Sequence, residues 1–139
     1  MQRFLYKLGL WLPPAAWAAL IFHFSSGRVL VVSPVYWQDF VVKKIGHVLL
    51  FGVLALLVFR ALMGEGVSKK KAAIYAIVFA TFYGATDEIH QFFTQGRESR
   101  VRDVFIDGVG ASFMIYIAYS ILPKLPKRIR VFFEQLDLI

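Results

Sequence analysis

The stretch Tyr83-Gly84-Ala85-Thr86-Asp87-Glu88-Ile89-His90-Gln91 runs from an apolar helix into two acids, a histidine and an amide. Ionisable groups are costly at membrane depth and persist there mainly where they face a bundle interior or a watery cavity. The apolar run before Asp87 begins near Ala72 and has fifteen residues, whereas crossing the hydrocarbon takes about twenty. We therefore expect the helix to continue through Gln91 or Phe93, which brings the acids near an interface or a cavity mouth.

The composition around this stretch is that of an integral membrane protein. Of 139 residues, 58% are hydrophobic and 18% are charged, and the mean hydropathy is +0.62. The absence of cysteine excludes disulfides, thiolate metal ligands and cysteine nucleophiles. The net charge of +7 comes from Lys and Arg at the ends of apolar segments. That arrangement favours topology signals and lipid headgroups over a nucleic-acid partner.

The apolar segments predict an all-α fold, a polytopic bundle of four transmembrane helices. Its spans are expected at Leu8–Phe24, at Val41–Met63, from Ala72 to Gln91 or Phe93, and at Asp103–Leu122. We expect a membrane domain over residues 1–123, followed by a basic amphipathic tail over 124–139 that lies on the cytoplasmic membrane surface. Gly108, Gly110 and Ala111 allow close helix packing and are also a candidate homodimer face.

The distribution of Lys and Arg predicts the orientation of the four spans. The side that holds both termini and the Lys69 loop carries ten of the sixteen basic residues, and the other side carries six. Because loops rich in Lys and Arg stay in the cytoplasm, both termini are expected there. The polar ends of the helices then gather at the outer face.

Three of the predicted helices direct polar side chains toward this outer end. Lys44 and His47 are three residues apart on the second helix, and Asp103 and Asp107 are four apart on the fourth. On the third helix, Glu88 and Gln91 share a face and Asp87 and His90 lie beside it. Chance placement in apolar segments would rarely give this convergence.

Several chemistries fit such a group. In the first, Lys44, Arg97 and Arg100 hold a phosphate or carboxylate, while Glu88, Asp87 or His47 moves a proton. In the second, His47, Asp87 or Glu88, Asp103 and Asp107 hold Mg, Ca or Mn, although no spacing here is diagnostic of a metal site. In the third, Ser25 or Ser26 is a nucleophile next to His47. A purely structural alternative pairs Asp87 or Glu88 with Arg97, and Asp103 with Arg100.

The first chemistry gives our predicted site, without a metal and with no identifiable cofactor. The predicted catalytic residues are Glu88, His47 and Asp87. The predicted substrate-binding residues are Arg97, Lys44, Gln91, Asp103, Ser25 and Ser26.

Four motifs resemble the VanZ-like family of small bacterial membrane proteins. They are Phe22-His23-Phe24-Ser25-Ser26, Lys44-Ile45-Gly46-His47, Asp87-Glu88-Ile89-His90-Gln91-Phe92-Phe93 followed by Gly96-Arg97, and Asp103-Val104-Phe105-Ile106-Asp107-Gly108-Val109-Gly110-Ala111. The resemblance implies a helical domain in the bacterial cytoplasmic membrane. It also implies a link to resistance against teicoplanin, a glycopeptide that acts on cell-wall precursors outside that membrane.

The expected function is therefore that of a cell-envelope protein with an outer-face polar pocket. In this hypothesis the pocket binds an anionic lipid or a lipid-linked cell-wall component, and whether the protein also modifies it is left open. The alternative is a non-catalytic protein that contacts other membrane proteins and uses the polar cluster as an internal ion-pair lock. A proton or ion pathway ranks last, because apart from Thr81 and Ser112 the inner halves of the spans look dry.

Overall fold

A computed structural model describes residues 1–27, 33–94 and 100–139. Within these ranges the chain is helical and contains no strand. The helices are α1 (Gln2–Ser26), α2 (Tyr36–Gly64), α3 (Lys69–Phe92), α4 (Val101–Tyr116) and α5 (Lys127–Gln135). A π-helical turn, Ile117–Ile121, and a 3₁₀ turn, Leu122–Lys124, extend α4. The predicted all-α fold is confirmed.

Small residues let α2, α3 and α4 approach closely and form the centre of the bundle. Ala72, Ala76 and Ala80 recur every fourth residue on α3 and are fully buried. On α4, a Cβ added to Gly110 would lie 2.5 Å from the Val48 carbonyl oxygen of α2. The predicted packing role of Gly110 is thus fulfilled inside one chain, whereas a homodimer stays a prediction.

Helix α1 packs against α2 and α3 on the outside of this group. The Trp17 indole N–H donates to the Leu50 carbonyl at 2.9 Å, and the Tyr83 hydroxyl donates to the Ala18 carbonyl at 2.7 Å. Helix α1 continues through Pro13 and Pro14 without a break. It extends from Gln2 to Ser26 and is therefore longer at both ends than the predicted segment Leu8–Phe24. These two hydrogen bonds fix the position of α1 along the axes of α2 and α3.

In the described parts of the chain, three helical segments, not four, are long and apolar enough to cross a membrane by length and composition: Gln2–Ser26, Tyr36–Gly64 and Val101–Lys124. The expectation of four such segments was wrong for α3. That helix carries three lysines at its start and the Asp87-Glu88 pair near its end, so its uncharged stretch is short. Helix α3 does continue through Gln91, as the sequence predicted.

Large apolar side chains face outward as well as inward, as expected for a bundle surrounded by lipid. Phe51, Leu54 and Phe59 fill the core, whereas Phe82 is 69% exposed and Phe105 is 72% exposed. A soluble protein of this size would rarely leave so much aromatic surface in contact with water.

The helices alternate in direction, so the bundle has two distinct ends. At the end that holds the chain termini, Lys7 pairs with Glu65 at 2.7 Å and Arg60 pairs with Asp137 at 3.4 Å. Leu138 is buried in the core there, just beyond α5. The division into a membrane domain, 1–123, and a tail, 124–139, stays a prediction. We call the opposite end, where the polar residues lie, the polar end.

Candidate functional site

Asp107 lies at the junction of α2, α3 and α4 and is 1% exposed. Its Oδ1 is 2.9 Å from Nδ1 of His47 on α2. On the α3 side, a Cβ added to Gly84 would lie 2.8 Å from Asp107 Oδ2, so only glycine leaves room for this carboxylate. Asp107 therefore joins three helices at one point.

The His47–Asp107 contact determines which ring nitrogen of His47 is available for chemistry. A carboxylate accepts hydrogen bonds, so Nδ1 is the nitrogen that carries the proton. In the described part of the chain, this is the imidazole's only hydrogen bond. When the imidazole is neutral, its Nε2 lone pair is directed away from Asp107, and an imidazole oriented in this way can accept or return a proton.

Lys44, one helical turn before His47, forms an ion pair with Asp103. Its Nζ is 2.5 Å from Asp103 Oδ2, and the side chains are 18% and 8% exposed. Arg102 Nε lies 3.8 Å from the other oxygen of Asp103. Both cations also lie near the ring of Phe40, with Lys44 Nζ at 5.5 Å and the Arg102 guanidinium carbon at 4.9 Å from its centroid. The Lys44–Asp103 ion pair thus connects the start of α4 to α2.

The two acids of α3 are both buried and serve different partners. The Gln91 amide donates to Asp87 Oδ2 at 2.8 Å, one turn along the same helix. The backbone N–H of Arg100 donates to Glu88 Oε2 at 2.8 Å. Arg100 precedes the first residue of α4, so the Glu88 carboxylate lies at a helix N-terminus, where a negative charge is favoured.

Buried carboxylate oxygens remain in excess at the polar end. Asp87 Oδ1, Asp103 Oδ1 and Asp107 Oδ2 are inaccessible and accept no hydrogen bond from any described residue. Such groups in proteins are normally satisfied by water, a proton or a ligand. Within the described ranges, however, no group of three His, Cys, Asp or Glu side chains could hold a metal ion.

Ser25 and Ser26 end α1 next to α3. Both hydroxyls donate to the Phe22 carbonyl, at 3.0 and 2.7 Å. Ser26 Oγ is also 3.0 Å from His90 Nε2, and since its own proton goes to Phe22, it accepts from the imidazole. His90 therefore does not activate Ser26 as a nucleophile in this arrangement, and the structure brings Ser26 to His90 rather than to His47.

Two residues contact the predicted site residues more directly than the sequence indicated. Asp107, named only as a metal candidate, is the partner of the predicted catalytic His47; its signal was the spacing of four from Asp103. His90, ranked below Glu88 and Gln91, contacts Ser26 and lies 4.5 Å from Phe22, ring centre to ring centre. No spacing within α3 could indicate a contact with α1.

Arg97, the predicted anion ligand, lies outside the described residues, and so does Gly96 of the same motif. The predicted polar pocket stays a prediction as well. A surface groove lies elsewhere, between α3 and α4, and has a mainly apolar lining. At the polar end, the described side chains bond mainly to one another.

The fold and the site define a helical membrane protein that gathers buried acids, a histidine and a lysine at one end of its bundle. The family model described as VanZ/LLP1 matches residues 5–122, so the chain belongs to the VanZ/LLP1 family. Searches of curated proteins and of solved structures gave no significant match. The resemblance drawn from the four motifs is confirmed.

Proposed function

We propose that this VanZ/LLP1 protein binds an anionic lipid or a lipid-linked cell-wall component at its polar end. The observation that carries the proposal is the placement of Asp107. A carboxylate that is buried where three helices meet and bonded to a histidine is costly for a bundle that only needs to pack. The resemblance also links the family to glycopeptide resistance. It supports the same class of ligand, since glycopeptides act on cell-wall precursors outside the membrane.

The proposed orientation has both termini in the cytoplasm and four crossings. Helix α3 has 24 residues, or about 36 Å at 1.5 Å per residue, which exceeds a hydrocarbon thickness of about 30 Å. It packs along both α2 and α4, so it lies beside them at the same depth. With the more basic side in the cytoplasm, the polar end faces outward, where cell-wall components are found.

Within the site, Lys44 and Arg97 hold the anionic group, and His47 moves a proton under the control of Asp107. Glu88, Asp87, Gln91 and Asp103 orient these groups, with Glu88 as a second proton donor or acceptor. Ser25 and Ser26 contribute hydroxyl oxygens at the edge. Lys44 is shared with Asp103, so an incoming anion competes with that carboxylate.

The decisive experiment compares two adjacent lysines. Lys44→Met removes the cation at the site, whereas Lys43→Met removes its neighbour, which pairs with Asp39 four residues before it. In nanodiscs of phosphatidylglycerol and phosphatidylcholine, native mass spectrometry measures the phosphatidylglycerol retained. We expect Lys44→Met to reduce retention about tenfold, corresponding to about 1.4 kcal/mol, and Lys43→Met to leave it unchanged.

A second variant separates lost binding from lost folding. Lys44→Met combined with Asp103→Asn removes both charges of the pair and leaves no uncompensated carboxylate at Asp103. If this double variant melts like the parent and still fails to retain phosphatidylglycerol, the proposal is supported. Retention equal to that of the parent in a folded double variant and in Arg97→Ala would overturn it.

A non-catalytic interaction protein is the second candidate, and the contacts of the polar end favour it in one respect. Asp87, Glu88, Asp103 and Asp107 each accept a hydrogen bond from a group on the same or a neighbouring helix. A lock of this kind predicts that Glu88→Gln lowers the melting temperature in detergent without a loss specific to any lipid. Lipid-specific loss at unchanged melting temperature argues against it.

A further inference from the structure

A groove of about 600 Å³ runs along the outer surface between α3 and α4. Its lining includes Ile77, Thr81, Phe105, Gly108, Ser112 and Tyr116. None of these residues belongs to the polar end described above. On α4 the groove lies within Val101–Lys124, a segment apolar enough to cross a membrane.

The groove exists because its floor is made of small residues. Gly108 faces Thr81, and a Cβ added there would lie 3.1 Å from the Thr81 hydroxyl oxygen. Ser112 follows one turn later, so neither position fills the space between the helices. Phe105 and Tyr116, which are 72% and 59% exposed, line the groove on α4.

The length of the groove matches one membrane leaflet. Its lining on α4 extends from Val104 to Tyr116, a rise of about 18 Å at 1.5 Å per residue. Half of the hydrocarbon layer is about 15 Å thick. Since Val104 directly follows Asp103, the groove starts at the polar end and reaches the middle of the membrane.

A positive charge lies at the start of this groove. Arg102 has a half-exposed side chain. It precedes Phe105 and Val109 by three and seven residues, so it lies on the same face of α4 as these two groove residues. Its guanidinium stacks over Phe40 close to Lys44. An anionic headgroup beside these cations would have its acyl chain directed along α4.

We infer that the α3–α4 groove is the acyl-chain subsite of an anionic lipid whose headgroup lies at the polar end. The inference rests on the proposed function and adds the position of the chain to it. The occupant is a single acyl chain of the outer leaflet, held by apolar contact with Phe105, Val109 and Tyr116. Lipid bound in this way is ordered by the protein, unlike lipid at the rest of the surface.

The test uses phosphatidylglycerol with a photoactivatable diazirine on one acyl chain, in nanodiscs with the full-length chain. Mass spectrometry then maps the crosslinked residues. We expect crosslinks concentrated on the groove residues of α4, about tenfold above those at Val78 and Phe82, which are exposed to a similar degree on α3. Ser112→Phe, which fills the groove from an exposed position, should remove that excess.

Val78→Phe is the matched control, since it adds the same ring to a lipid-facing position that does not line the groove. It should leave the crosslinks unchanged, and both variants should melt like the parent. Uniform labelling of all exposed residues overturns the inference, as does labelling that survives Ser112→Phe. A dimer seen by native mass spectrometry that Ser112→Phe dissociates, at unchanged lipid labelling, also overturns it, because a second copy of the chain then occupies the groove.

The lysine variants distinguish this failure from failure of the proposed function. If Lys44→Met leaves phosphatidylglycerol retention intact while the groove remains preferentially labelled, the headgroup site is wrong and the chain subsite stands. If retention depends on Lys44 but labelling is uniform, the headgroup site stands and the chain subsite is wrong.

Discussion

Asp107 combines two properties that rarely occur together in a bundle of this size, near-complete burial and an ionisable partner on another helix. Its neighbours on two helices are adapted to it. Gly84 leaves the space that its carboxylate fills, and His47 donates to it. Replacing any one of the three disturbs the other two, so their contributions to stability are expected to be coupled.

We therefore predict a strong coupling between His47 and Asp107. Asp107→Asn keeps the shape of the side chain but leaves a neutral group opposite the imidazole N–H, and it should lower the free energy of unfolding by about 1–3 kcal/mol. His47→Asn alone should cost a similar amount, and the double variant should cost less than the sum. Thermal melting in detergent of the three variants and the parent gives the coupling.

Asp39→Asn is the control for this comparison of single and double variants. Asp39 also pairs with a cation, Lys43, but at the start of α2 and in a more exposed position than Asp107. Such ion pairs contribute little, about 0.2–1 kcal/mol. If Asp107→Asn costs no more than Asp39→Asn, or if the two effects at His47 and Asp107 simply add, the three-helix junction has no special role.

The residues of the polar end could be named from the sequence, but most of their partners could not. Helical spacing placed Lys44, His47, Asp103 and Asp107 at one end, and the structure brings them there. Pairing between helices depends on their rotation and height, which for α1 are set by contacts such as Tyr83 to Ala18. Local spacing carries no information about such contacts, so the contact of His90 with Ser26 was missed.

At the scale of elements, the helices were predicted better than their ends. Helix α2 starts at Tyr36, five residues before the predicted Val41, and its first turn is supported by stacking of Tyr36 on Phe40. Helix α1 begins at Gln2, six residues before the predicted Leu8. Apolar content locates the part of a helix that lies in lipid, whereas the helical backbone extends into the interface, where polar and aromatic residues continue it.

One contact between elements should depend on pH in a direction that follows from its chemistry. Lys7 at the start of α1 donates to Glu65 at the end of α2, and Trp11 adds a second hydrogen bond at 3.4 Å. The hydrogen bond from Lys7 is the main reason that the pKa of the Glu65 carboxyl is below its usual value of 4.5. Glu65 therefore stabilises the fold above that value, and the contribution is lost as the pH falls through the lower pKa.

We accordingly predict that Glu65→Gln lowers the melting temperature at neutral pH and that the difference from the parent shrinks as the pH falls below the usual glutamate value of 4.5. The change should be small, because the carboxyl is at the surface. Glu134→Gln, which removes a carboxylate from α5 and its contact with Arg130, is the control and should not loosen α1. A difference for Glu65→Gln that grows on acidification contradicts the assigned role of Lys7.

At the scale of the whole molecule, the two ends of the bundle differ in charge in a way that bears on orientation. Arg60, the three lysines that start α3 and the basic residues near α5 lie at the end with the termini. The acids Asp87, Glu88, Asp103 and Asp107 lie at the other. In the proposed orientation, with the termini in the cytoplasm, the chain satisfies the positive-inside rule and its acidic site faces outward.

The absence of cysteine makes the proposed orientation directly testable by single-cysteine labelling. Ser33→Cys precedes α2, Ser68→Cys follows it, and Thr94→Cys follows α3. Intact spheroplasts are treated with a membrane-impermeant maleimide, and permeabilised ones serve as the reference. We expect labelling of Ser33→Cys and Thr94→Cys in intact spheroplasts, and of Ser68→Cys only after permeabilisation.

Thr94→Cys decides the number of crossings, because α3 is the helix that fails to meet the hydropathy expected of a span. If α3 crosses, Thr94 and Ser33 lie on the same side; if it does not, Thr94 lies with Ser68. Helix α3 contacts α2 and α4 along its length, and its two buried acids bond within the bundle, so its polar groups need not face lipid. Protection of Thr94→Cys together with Ser68→Cys would reduce the bundle to three crossings and remove the outer-face site. Labelling of Ser68→Cys alone would instead invert the protein, placing the polar end in the cytoplasm and its ligand among cytoplasmic anions.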